Sequence, residues 1–223
     1  MTDLLGIISE YWDGRAATFD DQPDHGLIDP VVEAAWTRRL TSWLTQPPAR
    51  VADLGCGTGT LAVLLAGLGY EVTANDISHE MVARTRQKAK SAGVDVEVAV
   101  GDASEPNLPE RSVDVVVVRH LAWTLPDPEA AINRWVDILR PGGRLVMIEG
   151  HWATPPGGAI DLIDPGMHLN LPWYGGVTAG ALIPVLTRRF DHVAHYDLAG
   201  DTDLWGRTVS DERFAAVAYK AGT

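Results

Sequence analysis

The chain has 223 residues, 46% of them hydrophobic, and 18 Lys and Arg against 30 Asp and Glu, a net charge of −12. That length supports one substantial core, so a single unit over 1–223 is expected, and the acidic balance repels both nucleic-acid backbones and anionic lipid. Arg188, Arg189 and the stretch from Arg84 to Lys90 are the places where a local basic groove would form, but no dense basic run occurs.

Cys56, the lone cysteine, leaves no internal disulfide, and no apolar run nears the ~20 residues that span a bilayer. Met1 to Ser9 lacks the basic start and small-residue cleavage pattern of a leader. These features predict a cytoplasmic protein without a nucleic-acid or membrane partner.

In chain order, Tyr11 to Gly26 is polar with scattered aromatics and is expected to fold over a ligand. Val31 to Leu44 reads as a helix, and Pro47-Pro48 closes this N-terminal cap segment, 1–46. Val51 to Leu54 reads as a strand ending in a glycine cluster, and Leu61, Leu64, Leu65 and Leu68 then recur at the spacing of a core-facing helix. Glu71 to Ala74 is a second strand. Ser78 can cap a helix running to about Ser91, before a third strand from Val94 to Val100.

The near-continuous valine of Val113 to Val118 fits a central strand covered on both faces. Asp127 and Pro128 open a helix striped by Ile132, Trp135, Val136 and Leu139 and stopped by Pro141-Gly142-Gly143, with a fifth strand at Leu145 to Ile148. Residues 151–180 are rich in proline and glycine and read as a lid after that strand. Thr178 to Thr187 is a helix despite Pro184, and Phe190 to Leu198 and Arg213 to Tyr219 are late strands. Alternating strands and helices over 50–150 predict an α/β fold, doubly wound about a mostly parallel sheet.

The loop Asp53-Leu-Gly55-Cys-Gly57-Thr-Gly59 lies between the first strand and first helix, where bare backbone can approach a ligand. Its spacing is G-x-G-x-G rather than G-x-G-x-x-G. The preceding acid, Asp53, suits a zwitterionic amino-acid tail and disfavours a diphosphate. Asp76 ends the second strand close to the ~20-residue offset of a ribose-binding acid. Asp102 follows the third strand at the same edge, within reach of an adenine amino group, and Ile77 and Met81 would wall the ring.

Val51 to Gly59, Asn75-Asp76-Ile77-Ser78, Gly101-Asp102-Ala103 and Leu139 to Arg144 resemble, in order and spacing, the successive motifs of class I S-adenosylmethionine-dependent methyltransferases. Arg119 to Trp123 and Asp127-Pro128 are similar to the small-molecule branch of that class. The resemblance covers about residues 50 to 150. It implies a Rossmann-like seven-stranded sheet with helices on both faces and an N-terminal helical cap. It also implies S-adenosylmethionine as cofactor, S-adenosylhomocysteine as product, and methyl transfer to a nitrogen or oxygen of a small metabolite. Gly55, Gly57 and Gly59 would contact the methionine portion, Asp76 the ribose, and Asp102 with Ala103 the adenine. Arg119 joins the expected cofactor contacts.

The Asn/Asp-Pro-Pro-Tyr of base- and glutamine-modifying enzymes is replaced by Arg119-His120-Leu121-Ala122, and no carboxylate cluster for magnesium stands out in the post-strand loops, so no metal is expected. A nicotinamide-type oxidoreductase and a non-catalytic cofactor-binding protein are the rival readings.

His120 follows the fourth strand and is the candidate general base. Tyr11, Trp12, His151, Trp152, Trp173 and Tyr174 are candidates for an aromatic acceptor pocket. Trp36, Trp43, Trp123 and Trp135 read as structural, and Cys56 as a small loop residue. His192 and His195 point to opposite faces of a strand and make no metal pair. A monomer or homodimer is expected.

Overall fold

The computed structural model describes residues 4–152 and 171–222. Seven strands form one sheet in the order β3-β2-β1-β4-β5-β7-β6. They are β1 (Arg50–Leu54), β2 (Glu71–Asp76), β3 (Val96–Val100), β4 (Val113–Arg119), β5 (Leu139–His151), β6 (His192–Asp197) and β7 (Glu212–Tyr219). The first five run parallel, and β7 is antiparallel to both β5 and β6. Strand order reverses between β1 and β4, which opens a crevice at their carboxyl ends.

Helices are α1 (Leu4–Arg15), α2 (Pro23–Gly26), α3 (Pro30–Trp43), α4 (Thr60–Gly67), α5 (His79–Ala92), α6 (Pro128–Ile138), α7 (Ala179–Thr187) and α8 (Thr202–Trp205). Side chains on successive strand positions leave opposite faces of a sheet. Val115 and Val117 of β4 accordingly join the core under α3 and α4, while Val116 and Val118 join the core under α6 and α7. All four valines are fully buried, as the valine run predicts for a central parallel strand.

The expected caps form. Asp127 accepts from Ala130 N at 2.9 Å and Ser78 from Met81 N at 3.0 Å. Thr178 caps α7 in addition, accepting from Ala181 N at 3.2 Å. The expected fifth strand begins early. α6 ends at Ile138, and Pro141-Gly142-Gly143 lies inside β5, where Gly142 N and Gly143 O bond to Ala221 and Lys220 at 2.7 and 2.9 Å. Short helix α8 was not expected. It supplies Trp205, which packs edge-on against Trp36 at 5.4 Å, while Trp36 Nε1 donates to Leu204 O. Most of the expected lid, 153–170, lies outside the described residues.

Candidate active site

The crevice is a cavity of about 480 Å³. Its floor is built from the carboxyl ends of three strands. Asp53 lies near the end of β1 and Gly55, Cys56 and Gly57 follow it, Asp76 ends β2 with Ile77 after it and Met81 in the first turn of α5, and Asp102 and Ala103 follow β3.

Gly55 and Gly57 have φ of +69° and +56°, a region in which side chains are strained. A Cβ at Gly55 would also stand 2.7 Å from Leu121 Cδ1. Gly59 departs from its expected role. It does not line the cavity, and a Cβ there would collide with the Thr85 side chain on α5, so its bareness lets two helices approach.

The donors and acceptors fit an adenosyl amino acid. Asp76 Oδ2 accepts from Gly57 N at 2.8 Å and Oδ1 from Ser78 N at 2.9 Å, which fixes the carboxylate and leaves a second lone pair on each oxygen for a diol. Asp53 is 2% exposed, and its Oδ2 has no hydrogen-bond partner. Burial raises its pKa to about 7 against the opposing pull of Arg119. A buried, unmatched carboxyl oxygen beside the glycine loop asks for a cationic group, which an amino-acid ammonium supplies.

Asp102 Oδ1 accepts from Ser104 N at 2.8 Å, which turns the chain after β3. Trp135 Nε1 holds the Ala103 carbonyl at 2.8 Å, so this structural tryptophan also fixes one wall of the cavity.

The N-terminal segment roofs the crevice through polar clamps. On α1, Ser9 Oγ donates to Ile77 O at 3.0 Å, and Asp13 accepts from Ser78 Oγ and from Glu80 N. Asp20 accepts from Thr58 of the glycine loop and pairs with Lys88 at 2.9 Å. Arg119 NH1 donates to Asp24 O at 2.7 Å, which ties α2 to the end of β4. These clamps bring Leu5, Ile8, Tyr11 and Trp12 to the cavity, together with Phe19 and His25, which the sequence reading did not single out.

His120 opens onto this chamber with φ of +55°, an uncommon and strained angle for a residue with a side chain. The strain is held from two sides. His120 N donates to Ile148 O at 2.9 Å, and the next two amides, Leu121 N and Ala122 N, donate to Glu149 Oε1 at 3.2 and 3.0 Å. Glu149 was also missed by the sequence reading. It is wholly buried, and burial raises its pKa to about 8, so at neutral pH its carboxyl is mostly protonated. The signal for it was a carboxylate at the end of an otherwise apolar strand.

Burial, reinforced by Arg119, Arg213 and His25, drives the His120 pKa well down, which leaves a neutral ring whose buried Nε2 has no partner. Trp152 meets that ring edge-on at 5.0 Å.

Of the six expected acceptor-pocket residues, Tyr11, Trp12 and Trp152 line the cavity, and His151, Trp173 and Tyr174 do not. His151 is the last residue of β5 and stays outside the lining, whereas Trp152, the residue after the strand, enters it. Trp173 packs on the core beneath α6 and α7, and Tyr174 packs against Trp123 at 6.2 Å. Trp123, read as structural, instead lines the cavity, 6.0 Å from Trp12. Arg188 and Arg189 form no basic groove, because both pair with Glu129, at 3.1 and 2.9 Å.

Fold and crevice together define a nucleoside-binding α/β enzyme whose acid and glycine placement suits a sulfonium cofactor. Comparisons with known proteins agree. Residues 52–147 match the methyltransferase domain family. The chain is 34% identical over 158 residues to demethylmenaquinone methyltransferase of Thermus thermophilus, covering 69% of this chain and 71% of that one. It is 32% identical over 149 residues to ubiquinone biosynthesis O-methyltransferase of Xanthomonas euvesicatoria, covering 65% and 57%.

Geranyl diphosphate C-methyltransferase of Streptomyces coelicolor, solved with S-adenosyl-L-homocysteine, superposes with a TM-score of 0.72 over 99% of both chains at 17% identity. The chain belongs to the class I S-adenosylmethionine-dependent methyltransferases, and it is an enzyme that methylates a small molecule. Among the described residues, no helix is long and apolar enough to cross a membrane.

Proposed function

We propose that 1–223 works as one catalytic unit that moves a methyl group to an oxygen or nitrogen of an aromatic or largely apolar metabolite, with 1–46 as its cap, 50–150 as its cofactor-binding core and 151–180 as its lid. The observation that carries this reading is the composition of the crevice. Fixed carboxylates line its floor, and aromatic side chains line the wall beyond them.

In this reading Asp76 takes the ribose hydroxyls, Asp102 and Ala103 the adenine edge, and Ile77 and Met81 the ring faces. Gly55 and Gly57 present backbone to the methionine portion, and Asp53 with Arg119 takes its charged ends. The cofactor supplies an electrophilic methyl on a sulfonium. The chain's own contribution is to orient the acceptor on Tyr11, Trp12, Trp123 and Trp152 and to exclude water, because alignment and desolvation carry much of such a displacement. His120 Nε2, neutral and unpartnered, takes the proton from a hydroxyl acceptor. An amine that arrives unprotonated would need no such base.

The acidic net charge and the pairing of Arg188 and Arg189 favour a partner other than nucleic acid. A lone cysteine suits the cytoplasm, and a monomer or homodimer is the proposed assembly.

The test is incubation with methyl-labelled cofactor and a panel of phenols and aromatic amines. Label should appear in an acceptor as S-adenosylhomocysteine accumulates. Cofactor binding without transfer to any phenol, amine or cell-extract metabolite would overturn the catalytic reading.

A further inference from the structure

We propose that Asp24, His25 and His120 form a binding site for a divalent transition-metal ion at the acceptor end of the crevice. The post-strand loops gave no sign of it, because two of the three ligands come from α2, far from the third in sequence. The fold brings one ligand-capable atom from each of these residues within 4.8 Å of the others.

His25 Nδ1 lies 3.2 Å from Phe19 O, a carbonyl that can only accept, so the proton sits on Nδ1 and the Nε2 lone pair is free. That outer hydrogen bond to a main-chain carbonyl is the usual way a metal-binding imidazole is oriented. Stacking on Phe19, with ring centroids 4.3 Å apart, fixes the plane of the ring as well. His25 Nε2 stands 3.8 Å from Asp24 Oδ2, too far for a good hydrogen bond between them, but close to the spacing of two atoms that share one ion. His120 Nε2, the third corner, is buried with no hydrogen-bond partner.

Tetrahedral ligands at zinc-like bond lengths lie about 3.4 Å apart, so small side-chain rotations bring the three atoms onto one ion. Two imidazoles and a carboxylate select zinc, cobalt, iron or manganese over magnesium, which prefers an all-oxygen shell.

Charge decides whether such a site is tolerable. Arg119 and Arg213 both act on the two histidines and oppose a further cation. Arg213 is neutralised by a two-pronged pair with Asp211 at 3.0 and 2.9 Å. Arg119 is flanked by Asp24, Asp53 and Asp20. The local balance is therefore near zero, and the Asp24 carboxylate favours the ion. His25 and His120 line the cavity while Asp24 is buried behind them, so the open coordination positions face the acceptor. An oxygen or nitrogen of the acceptor would fill one of them. Where the ion is bound, His120 serves as a ligand and the acidifying effect of the ion replaces it as a base. This last consequence rests on the methyltransfer reading, whereas binding of the ion does not.

The experiment is titration of untagged, chelator-treated protein with cobalt(II), followed by visible absorption. The expected result is a set of d–d bands that saturates at one equivalent, weakened at least tenfold in affinity in His25→Ala and in Asp24→Asn. The bands should be unchanged in His192→Ala, a histidine exposed on β6. Absence of saturable bands in the wild-type protein, or wild-type affinity in either site variant, would overturn the proposal. S-adenosylhomocysteine calorimetry on the same samples separates the two readings. Cofactor binding without cobalt binding removes only the metal site, and cobalt binding without cofactor binding removes only the methyltransfer reading.

Discussion

The two halves of the crevice are built on different principles. The cofactor half takes its residues from the ends of adjacent parallel strands, so the positions of Asp53, Asp76 and Asp102 follow from the sheet itself. The acceptor half is assembled from α1, α2, the loop after β4 and Trp152, joined by side-chain clamps such as Asp13 to Ser78 and Asp20 to Thr58. A sheet edge fixes a constant ligand with little room for variation, whereas clamped helices and loops change their lining without disturbing the sheet. We propose that substrate choice belongs to the second half.

That contrast is open to attack by mutation. The largest effect is expected from Gly59→Val, which places a branched side chain at φ +78° against Thr85. Thermal or urea unfolding should show a loss of about 2–5 kcal/mol from backbone strain and overpacking together. A variant as stable as wild type would mean that Gly59 is not a packing glycine. His120→Ala is expected next, with turnover of a hydroxyl acceptor lowered about 10²-fold while S-adenosylhomocysteine affinity stays within about threefold. Wild-type turnover would remove His120 as the base.

A smaller effect separates two changes at Glu149. Glu149→Ala removes the acceptor of two buried amides and should cost about 1–3 kcal/mol and loosen His120. Glu149→Gln resembles the protonated acid and should fold nearly as well at pH 7. The pH dependence follows with a definite sign. A carboxyl with its folded pKa raised to about 8, or to about 7 for Asp53, keeps a proton that the unfolded chain releases. Its contribution is complete below the ordinary carboxylate range and is lost as pH rises toward those values. His120 and His25, whose folded pKa values are pushed down by burial, add an opposite slope to both proteins, so the expected outcome is a difference: between pH 5 and pH 8 the melting temperature of cofactor-free wild type should lose more, or gain less, than that of Glu149→Gln. Parallel slopes in the two proteins would contradict the raised pKa of Glu149.

The same division explains what could be read in the sequence. Strand ends in βαβ units are legible from hydrophobic period and turn chemistry, so the sequence alone sets the glycine loop and the three acids at one edge of the sheet. Gly59 lies outside the lining and against Thr85, a placement its spacing alone does not reveal, because a glycine that meets a ligand and one that meets a helix look alike in sequence. Phe19 and His25 are not legible because the segment from α1 through α2 is polar with scattered aromatics and is positioned by hydrogen bonds between residues distant in sequence. The sequence does not separate His151 from Trp152, because β5 ends between them and only Trp152 reaches the cavity. Trp123 shows the converse limit, since an aromatic in an apolar stretch reads as core even when one face borders a cavity.

We propose that Asp76 and the glycine loop hold the adenosyl amino acid. Isothermal titration of S-adenosylhomocysteine into wild type and Asp76→Ala tests it most directly. Binding at one site per chain is predicted, weakened by about 1–3 kcal/mol in the variant, which should remain folded. No binding heat in the wild type, or equal affinity in the two proteins, would contradict it.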